Sequence, residues 1–270
     1  MRIATVQTQD GAKLAVDVNG EQRRLEFDGD LVALVEGGVD PHELSVGPAL
    51  AGRLTAPLQP GKLVAIGLNY LDHIRESKLP QPENPLIFAK FPSSVTGPED
   101  TIVVDTQLTA SVDWEVELGV IIGRPMRGID VGEALDYVFG YTVCNDVSAR
   151  DIQFSESQWT RGKSLDTFCP LGPVVVTAEE IPDPQTLTLR TRVNGELMQD
   201  SSTAEMLFGV AALLAFCSRS FTLEPGDLLL TGTPWGCGYF MDPPRALEIG
   251  DVVECEVERI GSLRNTVVAA

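Results

Sequence analysis

Two glutamates stand two positions apart at the start of an apolar run. Glu115 and Glu117 lie in the segment DWEVELGVII. Alternate side chains of a strand share a face, so both carboxylates are predicted to point the same way. Two like charges beside an apolar strand are costly unless one binds a proton or a cation lies between them. The pair therefore predicts either a site for a hard divalent metal ion or a solvated acidic face on an edge strand.

Asp146 is a third candidate ligand, because it follows the apolar run 138–143 in the segment CNDVSARDIQ. The segment resembles a strand-to-helix junction. Arg150 and Gln153 are three residues apart and would share a helix face, where they could donate hydrogen bonds to an anionic ligand. A helix capped by Asp146 or Ser148 explains the same residues without a ligand. Together with the two glutamates, the metal site becomes the favoured interpretation.

A histidine and a glutamate form a candidate base. His73 and Glu76 lie in GLNYLDHIRE and would be neighbours on a helical turn. A carboxylate that holds an imidazole gives a base able to activate water. A solvated helix with an incidental pair is the alternative. The other histidine, His42, is predicted to lie on the surface.

Two more polar segments could contribute to a site. Lys163 lies in RGKSLDTF, which lacks the spacing of a phosphate loop, so nucleotide binding is not indicated. It is still an unusual charge among small residues. Thr233 lies in LTGTPWG after an apolar strand, where hydroxyls and backbone N–H groups could bind a carboxylate or an enolate. That segment alone would be only a turn.

Composition narrows the class of protein. The 270 residues include 39 acidic and 20 basic side chains, a formal net charge of −19, which disfavours nucleic acid and anionic membranes as partners. No apolar run is long enough to predict a membrane span. The five cysteines are widely spaced and contain no C-x-x-C motif, which argues against a disulfide framework or a zinc site and predicts a cytoplasmic protein.

The elements that must position these residues are mostly strands. The first sixty residues predict a small unit of two or three strands, an Asn19-Gly20 turn and a short helix. Turn formers in PLQPG place a boundary near residue 60, giving domains 1–60 and 61–270. Beyond it, apolar runs of strand length recur at 86–88, 102–104, 116–122, 138–143, 174–176, 187–193, 228–231 and 252–257.

Helical patterns are fewer than strand patterns. Four segments are predicted as helices: 70–77, 129–134, 148–158 and 203–218. No regular βαβ alternation and no repeat occurs. A predominantly β member of the α+β class is therefore favoured over a doubly wound sheet.

Seven segments occur in an order that resembles the fumarylacetoacetate hydrolase family, over roughly residues 60–265. They are GLNYLDHIRE, FAKFPSS, DWEVELGVIIG, CNDVSARDIQ, RGKSLDTFCPLGP, LTGTPWGCG and LEIGDVVECEVERIG. The resemblance implies a mixed β-roll with a small N-terminal α/β domain, usually a homodimer. It also implies Mg²⁺ or Mn²⁺ held by Glu115, Glu117 and Asp146.

The same resemblance implies roles for the other candidates. His73 and Glu76 match the pair that activates water in this family. Four residues match positions that contact the carboxylate and enolate oxygens of a 2-oxo acid, with a catalytic role for the lysine: Arg150, Gln153, Lys163 and Thr233.

Two features depart from related sequences. Leu68 stands where some members that act on oxaloacetate or acylpyruvates have a basic residue. Trp235, with Phe240 and Met241 nearby, stands where a smaller residue commonly follows the Thr-Pro pair. These side chains suggest a bulkier and more apolar pocket.

The predicted function is a metal-dependent hydrolase that cleaves a carbon–carbon bond of an acylpyruvate-like 2,4-dioxo acid, giving pyruvate and a carboxylic acid. Alternatives at the same site are oxaloacetate decarboxylation, hydration of a 2-oxo-pent-4-enoate and isomerisation of a 2-hydroxyhepta-2,4-diene-1,7-dioate. A non-catalytic protein that binds a metal or an oxo acid remains a third possibility, since fold alone does not secure activity.

Overall fold

Strands dominate the computed structural model, which describes residues 1–18 and 20–270. Residue Asn19 of the predicted Asn19-Gly20 turn lies outside the described residues. The strands are β1 Arg2–Thr8, β2 Gly11–Val18, β3 Glu21–Leu25, β4 Val46–Ala49, β5 Arg53–Thr55, β6 Leu63–Gly67, β7 Leu86–Lys90, β8 Val95–Thr96, β9 Ile102–Val104, β10 Val112–Asp113, β11 Val116–Ile122, β12 Val138–Asn145, β13 Ser148–Ala149, β14 Cys169–Thr177, β15 Thr188–Val193, β16 Glu196–Ser202, β17 Leu228–Leu230, β18 Val252–Val257 and β19 Gly261–Ala269.

The helices are short. The α-helices are α1 Leu31–Glu36, α2 Leu71–Ser77, α3 Arg150–Ser155, α4 Thr160–Lys163 and α5 Val210–Ser220. Single 3₁₀ turns cover Pro41–Glu43, Pro92–Ser94, Ala134–Tyr137, Ala178–Glu180, Pro184–Thr186, Thr203–Glu205 and Gly238–Phe240. No helix among the described residues is long and apolar enough to cross a membrane.

A twelve-stranded sheet organises the molecule. Its order is β4-β3-β2-β1-β14-β12-β11-β17-β6-β7, with β5 beside β1 and β8 beside β14. A second sheet has the order β16-β15-β18-β19-β9, and β10 pairs with β13 in a two-stranded ribbon. Most pairings are antiparallel, so the fold is the predicted strand-rich α+β type.

Strand β11 lies at the centre and is buried on both faces. Every residue of VELGVII is buried. Leu118 and Val120 pack in one apolar cluster, whereas Ile121 packs in a second cluster on the opposite face. Glu117 therefore lies in a strand that is buried on both faces, which excludes the interpretation of the acidic pair as the solvated face of an edge strand.

The first sixty residues continue the large sheet. Strand β1 pairs antiparallel with β14, with Ile3 opposite Val175. Ile3 and Leu14 also pack in the same apolar cluster as Ile121. The boundary at residue 60 stays a prediction.

Three predicted helices differ from the structure. Of residues 148–158, only Arg150–Ser155 form the helix α3, and Ser148–Ala149 form the strand β13. Residues 129–134 form no α-helix: residues 131–133 form a turn, and the 3₁₀ segment Ala134–Tyr137 follows it. Gly132 lowers helix propensity, and only Ala134 of this 3₁₀ turn is buried, so packing does not stabilise a longer helix. The predicted helix 203–218 begins later, at Val210, because residues 203–205 form a 3₁₀ turn capped by Ser202.

Candidate active site

Strand pairing brings the three predicted metal ligands together. β11 and β12 are antiparallel, with Glu117 opposite Cys144, and Asp146 N donates to Glu115 O at 2.9 Å. One carboxylate oxygen from each of Glu115, Glu117 and Asp146 lies within 4.8 Å of the other two. All three side chains are buried. The pair predicted from strand alternation, Glu115 and Glu117, and the residue predicted at the end of a strand, Asp146, thus lie in one cluster.

Three cationic side chains contact two of these carboxylates. Lys163 Nζ lies 2.6 Å from Glu115 Oε2 and 2.9 Å from Asp146 Oδ2. Arg150 Nη2 lies 2.6 Å from Glu115 Oε1, and Lys90 Nζ lies 2.6 Å from Asp146 Oδ1. Burial opposes ionisation of Glu115, but Arg150 and Lys163 outweigh it and lower the pKa of this carboxyl to about 2.

Glu117 is compensated differently. It accepts the backbone N–H of Gly232 at 2.7 Å, and no cation among the described residues forms an ion pair with it. Burial, and then the charges of Asp146 and Glu115, raise the pKa of Glu117 well above its ordinary value. A divalent cation would supply the missing positive charge. Carboxylate oxygens are the donors that Mg²⁺ and Mn²⁺ prefer, so the residues fit such an ion.

Arg150 is fixed by a residue that the sequence did not single out. Its Nε donates to Asp113 Oδ2 at 2.9 Å, and its Nη1 donates to Gln153 Oε1 at 3.0 Å. Asp113 also accepts the N–H of Gly238 at 2.8 Å. Burial opposes the charge of Arg150, but Glu115 and Asp113 raise the pKa of its guanidinium above the ordinary value. The adjacency of Asp113 to Glu115 was the signal that could have identified it.

Lys90 is a second residue that sequence reasoning missed. Its side chain is fully buried, and its Nζ donates to Asp146, to Phe168 O at 2.9 Å and to the carbonyl of Lys163. The ammonium therefore fixes Asp146 and the chain segment that follows α4. A lysine inside the apolar strand FAKF was the corresponding signal in the sequence.

Helix α2 places the predicted base beside the carboxylates. His73 Nδ1 lies 3.1 Å from Glu76 Oε2, and Glu76 Oε1 accepts the N–H of Gly236 at 2.9 Å. The imidazole packs edge-on against Phe240, with ring centroids 5.2 Å apart. Because Nδ1 is bonded to Glu76, Nε2 is the nitrogen left to exchange a proton with a substrate. His42, in contrast, is half exposed, as predicted, and its Nε2 lies 2.7 Å from Glu179 Oε1.

One pocket contains most of the predicted site. Its polar lining is His73, Glu115, Glu117, Arg150, Gln153, Lys163 and Thr233. Its apolar lining includes Ile66, Leu68, Leu79, Phe88, Phe154, Trp159 and Phe240. Glu76 and Asp146 lie behind this lining, where they contact His73 and Lys163.

Thr233 reaches the pocket with its hydroxyl already engaged. Its Oγ1 donates to Val116 O at 3.0 Å and accepts from Gln199 Nε2 at 2.9 Å. In this arrangement the hydroxyl proton points to the carbonyl oxygen of Val116 and not into the pocket. The backbone N–H of Gly232 is likewise directed at Glu117.

The two departures from related sequences have different outcomes. Leu68 and Phe240 line the pocket, and Leu68 has a positive φ of 50°, an uncommon backbone conformation for leucine. Trp235 is 44% exposed and lies outside the pocket, with its Nε1 donating to Asp200 O at 3.1 Å. The prediction that Trp235 shapes the pocket is therefore wrong.

The strand-rich fold, the buried carboxylate cluster and the histidine held by a glutamate are the features that the resemblance to the fumarylacetoacetate hydrolase family implied. Residues 62–268 match the family described as fumarylacetoacetate (FAA) hydrolase, C-terminal, and the chain belongs to this family. This confirms the resemblance found in the sequence.

Relatives and solved structures extend the match. The chain is 49% identical over 218 residues to oxaloacetate tautomerase fahd2, mitochondrial, of Xenopus laevis, covering 80% of this chain and 68% of the relative. A fumarylacetoacetate hydrolase from Exiguobacterium antarcticum matches all of both chains with a TM-score of 0.91 and 40% identity. A 5-carboxymethyl-2-hydroxymuconate delta-isomerase from Mycobacterium smegmatis also matches all of both chains, with a TM-score of 0.84 and 35% identity.

Proposed function

We propose that this chain is a divalent-metal-dependent enzyme that catalyses enol–keto proton transfer in a small 2-oxo acid of the oxaloacetate type. The observation that carries the proposal is the buried imidazole of His73, held by Glu76, in the same pocket as the carboxylate cluster. The 49% identity to a protein named as an oxaloacetate tautomerase supports this reaction.

The carboxylate cluster would hold the ion. Glu115, Glu117 and Asp146 would bind Mg²⁺ or Mn²⁺ through their oxygens. When bound, the ion supplies Lewis acidity that stabilises the negative charge of an enolate. Lys163 and Arg150 add fixed positive charge beside the cluster, so an anionic substrate can bind despite the net charge of −19.

The imidazole performs the proton transfer. His73 Nε2 takes up the proton from C3 of the keto acid, the C3–H electron pair forms the C2–C3 double bond, and the carbonyl electron pair moves to the C2 oxygen. Glu76 orients the ring through Nδ1 and stabilises the imidazolium that forms. The enol oxygen then gains a proton from solvent, and the imidazolium loses one. The reverse sequence converts enol to keto acid.

Carbon–carbon hydrolysis, the reaction predicted from the sequence, is the second candidate. The full-length match to a fumarylacetoacetate hydrolase favours it. In that case His73 would deprotonate water, which attacks the distal carbonyl of a 2,4-dioxo acid, and pyruvate would leave as its enolate. The apolar side chains of Leu68, Leu79 and Phe154 would contact the acyl group.

A substrate panel separates the two reactions. Purified protein with Mg²⁺ or Mn²⁺ is tested for the enol-to-keto conversion of oxaloacetate, corrected for the spontaneous reaction, and for pyruvate release from acylpyruvates and oxaloacetate. The proposal expects faster enol–keto conversion and little pyruvate. Metal-stimulated pyruvate release from acylpyruvates, without tautomerisation, would establish the hydrolase instead.

The role of His73 is tested on the substrate of this panel that the wild-type protein converts fastest. His73→Ala should lower kcat by about 10²–10⁴-fold, the usual range for general-base catalysis, while the Kd for oxalate changes little. His42→Ala is the matched control, because it removes the other histidine, which pairs with Glu179 at the surface. A fully active His73→Ala variant would contradict both reactions.

We propose further that the protein is a homodimer in a reducing compartment. The five cysteines are buried free thiols, and Cys144 Sγ and Cys169 Sγ lie 3.4 Å apart without a bond between them. The cytoplasm was predicted from the sequence, whereas several relatives, among them the Xenopus laevis protein, carry mitochondrial names. Fractionation of cells that express the protein at its native level distinguishes the two compartments.

A further inference from the structure

A second set of ligand-type side chains lies at the active-site pocket. One ligand atom each from His73, Glu76 and Cys237 lies within 4.8 Å of the other two. His73 and Cys237 are buried, and Glu76 is partly exposed. This set combines nitrogen, oxygen and sulfur donors, unlike the all-carboxylate cluster formed by Glu115, Glu117 and Asp146.

The spacing suits a tetrahedral metal ion. Zn²⁺ binds nitrogen and oxygen at about 2.0–2.2 Å and sulfur at about 2.3 Å, which places neighbouring ligand atoms roughly 3.3–3.8 Å apart. His73 Nδ1 and Glu76 Oε2 are already 3.1 Å apart. Cys237 Sγ would have to move inward by about 1 Å at most to complete three ligands.

The thiol of Cys237 is positioned but weakly engaged. Among the described residues, its Sγ has only long polar contacts, 3.8 Å to Pro234 O and 3.9 Å to Gln199 Nε2. The loop is fixed on both sides of it, because Gly236 N donates to Glu76 and Gly238 N donates to Asp113. The backbone therefore holds the sulfur beside the pair without a strong competing hydrogen bond.

We propose that His73, Glu76 and Cys237 form a second metal site, which binds Zn²⁺ and other thiophilic divalent ions and blocks the base. A ring nitrogen, a carboxylate oxygen and the thiolate would be the protein ligands, the thiol proton would pass to solvent, and the fourth position would be open. Soft thiolate donors select such ions, whereas Mg²⁺ takes the carboxylate cluster. Inhibition, unlike binding, rests on the proposed role of His73.

Binding is tested without reference to activity. Protein saturated with Mg²⁺ is titrated with Co²⁺, and the thiolate-to-cobalt charge-transfer band in the near ultraviolet is recorded. The wild type and Cys217→Ala, which removes a buried thiol of α5, should show the band with one equivalent of Co²⁺. Cys237→Ser should lose it, and His73→Asn should weaken binding at least about tenfold. Circular dichroism establishes that both variants remain folded.

Inhibition is tested on the same proteins. The Zn²⁺ concentration that halves the Mg²⁺-dependent activity should rise at least about tenfold in Cys237→Ser relative to Cys217→Ala, each compared with its own uninhibited rate. Absence of the cobalt band in the wild type, or its persistence in folded Cys237→Ser, would overturn the site. A band without any measurable activity would leave the site intact and count against the proposed function instead.

Discussion

Glu115, which directly precedes β11, and Glu117, which lies in β11, are ionised to different degrees because their neighbours differ. Glu115 contacts Lys163 and Arg150, which lower its pKa to about 2. Glu117 has only a backbone N–H for compensation, and burial and two nearby carboxylates raise its pKa. In the metal-free protein, Glu117 is therefore the glutamate whose ionisation is unfavourable, and burying it lowers the free energy of unfolding.

The first prediction concerns this cost. Glu117→Gln should raise the free energy of unfolding of the metal-free protein by about 1–3 kcal/mol, because it removes a buried carboxyl whose ionisation is opposed by burial and by two neighbouring carboxylates. It should also abolish the stabilisation by Mg²⁺, which is about 2.7 kcal/mol at 100 times Kd for the wild type. Urea denaturation with and without Mg²⁺ measures both effects. Glu256→Gln, an exposed residue of β18, is the control, and an unchanged Mg²⁺ effect in Glu117→Gln would be the contrary result.

A second residue-scale prediction concerns pH. Burial opposes ionisation of Glu179, but hydrogen bonds from Thr177 and His42 together outweigh it and lower the pKa of this carboxyl from 4.5 to about 2. Its contribution to stability is therefore present above about pH 4.5 and is lost as the pH falls from there towards 2. Glu179→Gln should cost at most about 1 kcal/mol at neutral pH, since the group is largely exposed.

Urea denaturation over a series of pH values tests this prediction. The difference between wild type and Glu179→Gln should shrink as the pH falls from about 4.5 towards about 2, the range over which this contribution is lost. Glu83→Gln gives the baseline for an exposed glutamate of the surface loop after α2. A difference that stays constant over this range would show that Glu179 acts through packing alone.

At the scale of elements, the short connection between β6 and α2 positions the base. Asn69 is buried in this connection, and its Nδ2 donates to Thr231 O at 2.8 Å and to Phe208 O at 3.0 Å. Its Oδ1 accepts the N–H of Phe208 at 3.0 Å. One side chain thus connects the start of α2, which carries His73, to the residue that directly follows β17 and to the segment before α5.

The third prediction follows from these bonds. Asn69→Ala should lower the free energy of unfolding by about 2–4 kcal/mol, because it leaves buried backbone groups without partners. The rate of the His73-dependent step should fall as well, since α2 loses its anchor. Gln59→Ala is the control, because Gln59 makes one exposed side-chain bond, at 2.6 Å to Pro92 O. Urea denaturation and kcat measured on the same samples test whether stability and rate fall together. An Asn69→Ala variant that is as stable and as active as the wild type would contradict the prediction.

At the scale of the whole molecule, the large sheet ends in an apolar edge. Strand β7 is the last strand in the order, and Leu86 and Ile87 on it are 40% and 37% exposed. Phe91, directly after it, is 57% exposed. Exposed apolar edge strands favour association with another chain. This edge is the surface that we assign to the predicted homodimer.

The fourth prediction tests the assignment. Analytical ultracentrifugation should give a dimer for the wild type and a monomer for the double variant Ile87→Lys, Phe91→Lys, because charge at an apolar interface is costly to bury. The control is Val131→Lys, Ile249→Lys, which alters two other exposed apolar residues, 53% and 50% exposed. A monomeric wild type, or a dimer that survives the first double variant, would exclude this edge.

Local spacing along the sequence determined much of the site. The period of two in a strand was enough to place Glu115 and Glu117 together, and the helical period paired His73 with Glu76, because both relations depend only on the backbone of one element. The apolar runs likewise predicted β11, β12 and β18. The helix predicted at 129–134 failed because a few apolar residues were weighed without knowing whether a core would cover them.

Only the tertiary structure decided which distant residues share the site. Lys90 reaches Asp146 because β7 ends beside the strand-to-helix junction after β12, and Cys237 lies beside His73 because the N–H of the preceding Gly236 is hydrogen-bonded to Glu76 of α2. Such contacts depend on strand order and on burial on both faces of a sheet. One-dimensional spacing does not contain that information, since the packing that determines it acts between elements far apart in the chain.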